Sequence, residues 1–288
     1  MNEFELIDRL AGSVGDDCAV IPKGDADILI STDAFAEGIH FKRSWGSWES
    51  IGKKCLLAAL SDISAMGGTP KYFWVSVSFP KSDVPIVPEA LYSGFKEIAA
   101  EAKIQLAGGD TTASPTAHVW IDLVVWGEVP HGTALLRSNG EAGTVFVTGK
   151  LGAGALAVRQ KKIAEPPRRW ALAEKLRNSG CVTAMIDVSD GLVADLGHIA
   201  KASGLSIQLR ADKIPCLSQS SLEEALIGGE DYELAFLVSQ NKEAEFLRKF
   251  SAEVTQVGQA VVGVPHVQVI TAQGKELSLP RGGFNHYE

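Results

Sequence analysis

Residues 48–79 read WESIGKKCLLAALSDISAMGGTPKYFWVSVSF, and this stretch decides the fold class. Ile51, Cys55, Leu56, Ala59 and Ile63 recur at helical spacing, and the pattern stops at Gly67-Gly68 with Pro70 beyond. That predicts a helix over Trp48–Met66. The following run, Tyr72–Phe79, alternates and is rich in β-formers, so it predicts a strand. Working outward, Ile28–Thr32 and His118–Val129 read as further strands, and Val87–Ala102 as an amphipathic helix. Arg137-Ser-Asn-Gly-Glu-Ala-Gly143 is a turn-rich break. Beyond it come a strand at Thr144–Thr148, a glycine turn and a helix, then a helix at Trp170–Asn178. A strand at Ala184–Val188 feeds a helix over Leu192–Ser203. Strands at Tyr232–Val238, Val254–Val262 and His266–Thr271 complete the reading, with a helix near 241–250. Helices and strands mix without strict βαβ alternation. The chain of 288 residues suggests two domains at roughly 150 residues each. We set the boundary near residue 135, giving an N-terminal α/β domain (1–135) and a C-terminal α+β domain (136–288).

Hydrophobic residues at 45% and charged residues at 22% exclude a disordered or collagen-like chain. A net charge of −8 argues against a nucleic-acid partner held by bulk charge, but not against an anionic ligand carried by cations. The four cysteines, Cys18, Cys55, Cys181 and Cys216, form no CxxC pair and read as buried free thiols. The start, MNEFELIDRL, has acids where a signal peptide has bases, and no apolar run reaches the ~18 residues of a membrane span. These features predict a cytoplasmic protein with no membrane partner.

Familiar nucleotide motifs fail. Leu151 stands where a P-loop after Gly149-Lys150 needs Ser or Thr. Gly152-x-Gly154-x-x-Ala157 lacks the acid of a dinucleotide site and reads as a tight strand-to-helix turn. There is no HExxH and no GxSxG, and none of the six histidines has a partner at metal-ligand spacing. What stands out is the placement of acids: Gly15-Asp16-Asp17, Ser31-Thr32-Asp33, Ser61-Asp62, Gly108-Gly109-Asp110, Asp187-x-Ser189-Asp190 and Gly228-Gly229-Glu230-Asp231. Each borders an element that should be buried. Taken singly, Asp16 and Asp190 are explained as helix caps, Gly-Gly-Asp as a turn and Asp62 as a solvent-facing side chain. Taken together, buried carboxylates without enough basic partners are costly. Shared divalent cations would satisfy them, and hard oxygen ligands suit Mg²⁺ rather than Zn²⁺.

The segments GDDCAVI, STDAFAEGIHF, LSDISAMGGTP, GGDTT, IDVSDGLVADLGHIAKASG and GGEDYEL, in this order, resemble the thiamine-monophosphate kinase family, relatives of aminoimidazole ribonucleotide synthetase. The resemblance runs over essentially the whole chain. It implies a two-domain fold of the aminoimidazole ribonucleotide synthetase type. The N-terminal domain would form a shared β-barrel in a homodimer, and the C-terminal domain would cover the active-site cleft. It implies ATP-dependent phosphorylation of thiamine monophosphate to thiamine diphosphate. Carried over by motif, Asp17, Ser31, Thr32, Asp33, Asp62, Asp110 and Asp187 would bind Mg²⁺, and Asp190 a further ion. Gly109, Asp110, Arg137 and Ser189 would contact ATP, and His40, Glu230 and Phe284 the thiamine monophosphate. The chain departs from the family pattern at Ala59, where asparagine is usual, at Phe284, and in the altered 137–143 linker.

The chemistry expected is direct in-line transfer. Charges ~4 Å apart repel by roughly 4 kcal/mol at an effective dielectric of ~20, so cations and position carry the catalysis. The acceptor phosphate is already mostly a dianion, its second pKa being about 6, so no general base is needed and His40 reads as a phosphate-positioning donor. The alternatives are another ATP-using member of the superfamily, a non-catalytic nucleotide- or metal-binding protein, and a metal-dependent phosphatase.

Overall fold

The computed structural model describes Arg9, residues 15–280 and Gly283. Two sheets organise it. The first has five strands in the order β1-β2-β5-β3-β4, formed by β1 (Ala19–Lys23), β2 (Ala26–Ala36), β3 (Thr69–Phe79), β4 (Gln105–Ala113) and β5 (Trp120–Pro130). Its pairs are antiparallel except β3 with β4. Helices α1 (Trp48–Ala65) and α2 (Val87–Ala102) cover one face. Alternation sets this face: in β3, Phe73, Val75, Val77 and Phe79 point inward while Tyr72 and Trp74 point out.

Helix α1 begins at Ser47, whose Oγ accepts from the Ser50 N–H at 3.1 Å. From Lys54 to Ala65 every residue but Asp62 is buried, the pattern of a helix with no solvent face. Its first two turns meet α2 closely. A Cβ at Gly52 would lie 2.3 Å from the Leu91 carbonyl, and one at Gly94 2.1 Å from the Glu49 carbonyl. Only glycine permits this crossing.

The second sheet has six strands in the order β11-β8-β10-β6-β9-β7. They are β6 (Gly143–Thr148), β7 (Val182–Asp187), β8 (Leu205–Arg210), β9 (Leu234–Ser239), β10 (Val254–Val262) and β11 (His266–Ile270). The remaining helices are α3 (Ala153–Gln160), α4 (Trp170–Asn178), α5 (Leu192–Ser203), α6 (Leu222–Ile227) and α7 (Glu243–Phe250). Leu192, Leu196, Ile199 and Leu226 from α5 and α6 form one core layer with Val145, Ile186 and Leu237. Phe246 and Phe250 of α7 and Leu176 of α4 form the other, with Phe146 and Phe236.

Edge strand β7 of the second sheet runs beside α1 of the first. The connection 161–169 returns to the first domain, where Ile163 and Trp170 pack on its core and Arg168 pairs with Glu101 at 2.7 Å. These contacts join the two halves along one seam, with a cleft of about 1040 Å³ beside it. Among the described residues, no helix is long and apolar enough to cross a membrane. The cysteines are free thiols; Cys18, Cys55 and Cys181 are buried and Cys216 is half-buried.

Two expectations change. Gly108-Gly109-Asp110 lies within a parallel strand, just past a register shift at Ala107, rather than in a turn, and β9 starts at Leu234, leaving Glu230–Glu233 as irregular backbone.

Candidate active site

Three carboxylates meet at the seam. Helical period turns Asp62 toward the sheet, where strand alternation presents Ser31 and Asp33 from the core face of β2, and the Ser31 Oγ donates to Asp62 Oδ2 at 2.5 Å. Asp187 is the last residue of β7, and Asp17 precedes β1. Ligand oxygens of Asp17, Asp62 and Asp187 all lie within 4.8 Å of one another. The solvent-facing reading of Asp62 is therefore replaced by a shared carboxylate cluster.

Burial and mutual repulsion dominate the electrostatics. Burial, then the Asp17 carboxylate, pushes Asp187 up to about 7. Burial pushes Asp33 up to about 6. It raises Asp62 well above the carboxylate range, with Asp33, Asp187 and Asp17 adding to the effect. Asp16 rises to about 6 through burial and Asp17, against the pull of Arg137. Asp187 Oδ2 is buried and accepts no hydrogen bond among the described residues. An acceptor-only set of hard oxygens, crowded until protons are retained, fits a divalent cation such as Mg²⁺.

Arg137, expected on ATP phosphates, lies in this cluster. Its Nη2 donates to Asp17 Oδ1 at 2.5 Å, and its backbone N–H to Asp16 Oδ2 at 3.1 Å. Asp16 is thus a partner of Arg137, not a helix cap.

Asp190 is not a cap either. The N-cap of α5 is Gly191, and the Asp190 and Gly191 N–H groups donate to Asp195 Oδ2 at 3.2 and 3.0 Å. Asp190, Asp195 and His198 bring ligand atoms within 4.8 Å. This corrects the expectation that no histidine has a metal-type partner. The signal was present as Asp195-x-x-His198, one turn apart on a helix. Burial, with Arg137 and Lys201, lowers His198 to about 4.

The cleft is lined by Thr32, Asp33, His40, Asp62, Asp187, Ser189, Asp190 and Glu230 among others. Thr32 points out from the other face of β2 yet borders it. Ser189 Oγ lies 3.4 Å from Asp187 Oδ1. The His40 Nδ1 accepts from the Ala36 N–H at 3.0 Å, which leaves the ring proton of the neutral imidazole on Nε2. Glu230 pairs with Lys54 at 2.8 Å, a buried lysine that sequence reading passed over. Gly228, Gly229 and Tyr232 of GGEDYEL also line the cleft, whereas two of its acids are architectural: Asp231 accepts from the Gly152 and Gly154 N–H groups, and Glu233 pairs with Arg169 at 2.6 Å.

Gly109 and Asp110 are elsewhere. They sit on exposed edge strand β4, three strand spacings from β2, or about 14 Å. A Cβ at Gly109 would lie 2.0 Å from the Val75 carbonyl, so that glycine has a packing reason. Phe284 lies outside the described residues.

A two-domain α/β protein with a carboxylate-walled cleft at the domain seam is the class these features define. The family described as AIR synthase related protein, N-terminal domain, matches residues 15–129, and its C-terminal domain matches 132–270. Thiamine-monophosphate kinase of Bacillus subtilis (strain 168) is 31% identical over an alignment 327 positions long, gaps included, that covers 100% of both chains. The solved structure of AaThiL complexed with AMPPCP and TMP superimposes with a TM-score of 0.84 at 28% identity, covering 99% of this chain and 97% of that one. The thiamine-monophosphate kinase from Stenotrophomonas maltophilia K279a gives 0.76 at 31% identity, covering 92% and 96%. The chain belongs to the AIR synthase related proteins and, within them, to the thiamine-monophosphate kinase family.

Proposed function

We propose that this protein transfers the γ-phosphoryl group of ATP to the phosphate of thiamine monophosphate, yielding thiamine diphosphate. The observation that carries the reading is the convergence of Asp17, Asp62 and Asp187 from both domains at the seam, where Asp62 and Asp187 line the cleft. Support also comes from the full-length likeness to thiamine-monophosphate kinases and to AaThiL complexed with AMPPCP and TMP.

In this reading Asp17, Asp62 and Asp187, with Ser31, Thr32 and Asp33 beside them, hold Mg²⁺, and Asp190 serves a further ion. When bound, Mg²⁺ supplies positive charge that offsets the repulsion between the two phosphates. The chain's own work is orientation. Arg137, anchored at Asp17, and Ser189 serve the nucleotide; Arg137 keeps its charge at all working pH values. His40 donates from Nε2 to the acceptor phosphate, which already carries its attacking lone pairs and loses no proton. Glu230 offers an anion to the thiamine moiety, which carries a thiazolium cation and, beyond it, an aminopyrimidine.

The same reading includes a homodimer built on the first sheet as a shared barrel. In favour are the fully exposed edge strands β1 and β4 and an outward face bearing Tyr72, Trp74 and Trp120. Gly109 and Asp110 of one copy would then serve the cleft of the other.

A product assay tests the function. ATP, Mg²⁺ and thiamine monophosphate should give thiamine diphosphate, with thiamine unreactive. Release of free phosphate without thiamine diphosphate would replace the kinase by a phosphatase.

A further inference from the structure

Lys54 belongs to the wall between the two halves of the acceptor site, yet it does not line the cleft. Its side chain is 4% exposed, and lysine is almost never buried without a partner. Here the ammonium has two. It donates to the His40 carbonyl at 2.6 Å and to Glu230 Oε1 at 2.8 Å. The first acceptor belongs to the loop after β2, the second to the loop before β9, so one cation joins loops from different domains.

Each end is fixed a second time. The His40 backbone N–H donates to the Ala36 carbonyl, and the Ala36 N–H returns a bond to the ring Nδ1. Glu230 has a left-handed φ of 56° and donates its N–H to the Ser189 carbonyl at 2.7 Å. A non-glycine residue keeps such a φ only when its surroundings hold it there. With both backbones pinned, the Lys54 ammonium sets the distance between the His40 ring and the Glu230 carboxylate.

We propose that Lys54 is a positioning residue for the acceptor: it fixes the spacing between His40 and Glu230 and so selects a phosphate ester carried on a cationic heterocycle. This rests on the acceptor roles given above to His40 and Glu230. ATP makes no use of the pair, so the effect is confined to one substrate. A purely architectural lysine would affect both.

The test is steady-state kinetics on Lys54→Met, Glu230→Gln and the double variant, with each substrate varied in turn. Lys54→Met should raise KM for thiamine monophosphate at least tenfold and change KM for ATP less than twofold. The double variant, which leaves no unpaired charge behind, should be no worse than the more impaired single variant, because both substitutions break one interaction. An unchanged KM for thiamine monophosphate in folded Lys54→Met, or both KM values rising together, would overturn the proposal. If Lys54→Met does not fold, the double variant decides: equality with Glu230→Gln supports the inference, and a further tenfold loss overturns it. A normal KM for thiamine monophosphate in both Glu230→Gln and His40→Ala would instead overturn the acceptor reading itself.

Discussion

Replacing Asp62 by asparagine separates a metal site from a merely crowded one. The oxygens of Asp17, Asp62 and Asp187 lie within 4.8 Å of one another, so each ionised pair repels by at least about 3.5 kcal/mol at an effective dielectric of ~20. The protein without cations avoids this by keeping protons, and Asp62 is raised well above the carboxylate range. A protonated aspartate and an asparagine have nearly the same shape, and the Asn oxygen still accepts from Ser31 Oγ. Asp62→Asn therefore leaves the cation-free fold within about 1 kcal/mol of wild type. With Mg²⁺ the two diverge. Losing a direct anionic ligand should weaken binding about 100-fold, or ~2.7 kcal/mol. At ~2–4 °C per kcal/mol for a chain of this size, that removes about 5–10 °C of the Mg²⁺-induced rise in melting temperature. Scanning calorimetry at pH 8, with and without Mg²⁺, reads both quantities, and turnover should fall at least ~100-fold. If Asp62→Asn keeps the full Mg²⁺-induced rise, the reasoning fails.

Other outcomes follow from the same structure. Asp33 and Asp16 titrate near 6 and Asp187 near 7, above their values in an unfolded chain. The folded cation-free protein therefore binds more protons than the unfolded one between about pH 4 and 7, and its stability falls as pH rises through that window. Calorimetry should find the cation-free melting temperature lower at pH 8 than at pH 6, with a larger Mg²⁺ effect at pH 8. His40→Ala should raise KM for thiamine monophosphate about tenfold, and ³²P labelling of the wild type should yield no acid-labile phosphoenzyme. Gly94→Ala drives a Cβ toward the Glu49 carbonyl and should cost about 1–3 kcal/mol in urea unfolding, without separating the two KM values. Mixing Asp110→Asn with Asp62→Asn protein should restore part of the activity if each cleft borrows β4 from a second copy, and none if it does not.

Most of the scaffold was legible because burial writes periodicity into sequence. The helix predicted at Trp48–Met66 is α1 to within a residue, and that at Leu192–Ser203 is α5. Strands without an inward face left no such pattern. Strand β1 is exposed throughout and contains Pro22, and β4 carries Gly108-Gly109 along an exposed edge. Strand β8 follows the Gly204 cap so closely that no break sets it off. In the site, Asp62 drew notice because a carboxylate in an apolar helix needs a reason. Lys54 did not, because beside Lys53 it looks like half of a solvated pair. Its partner Glu230 is 176 residues away, and only tertiary structure brings the two together. Arg137 was visible, but its bond to Asp17, 120 residues upstream, was not.

The most direct test is to grow crystals with Mn²⁺ and a non-hydrolysable ATP analogue and to map the anomalous signal of the metal. The account predicts a peak bonded to oxygens of Asp17, Asp62 and Asp187, facing the analogue's phosphates. Peaks confined to exposed acids, with none at Asp17, Asp62 and Asp187, would contradict it.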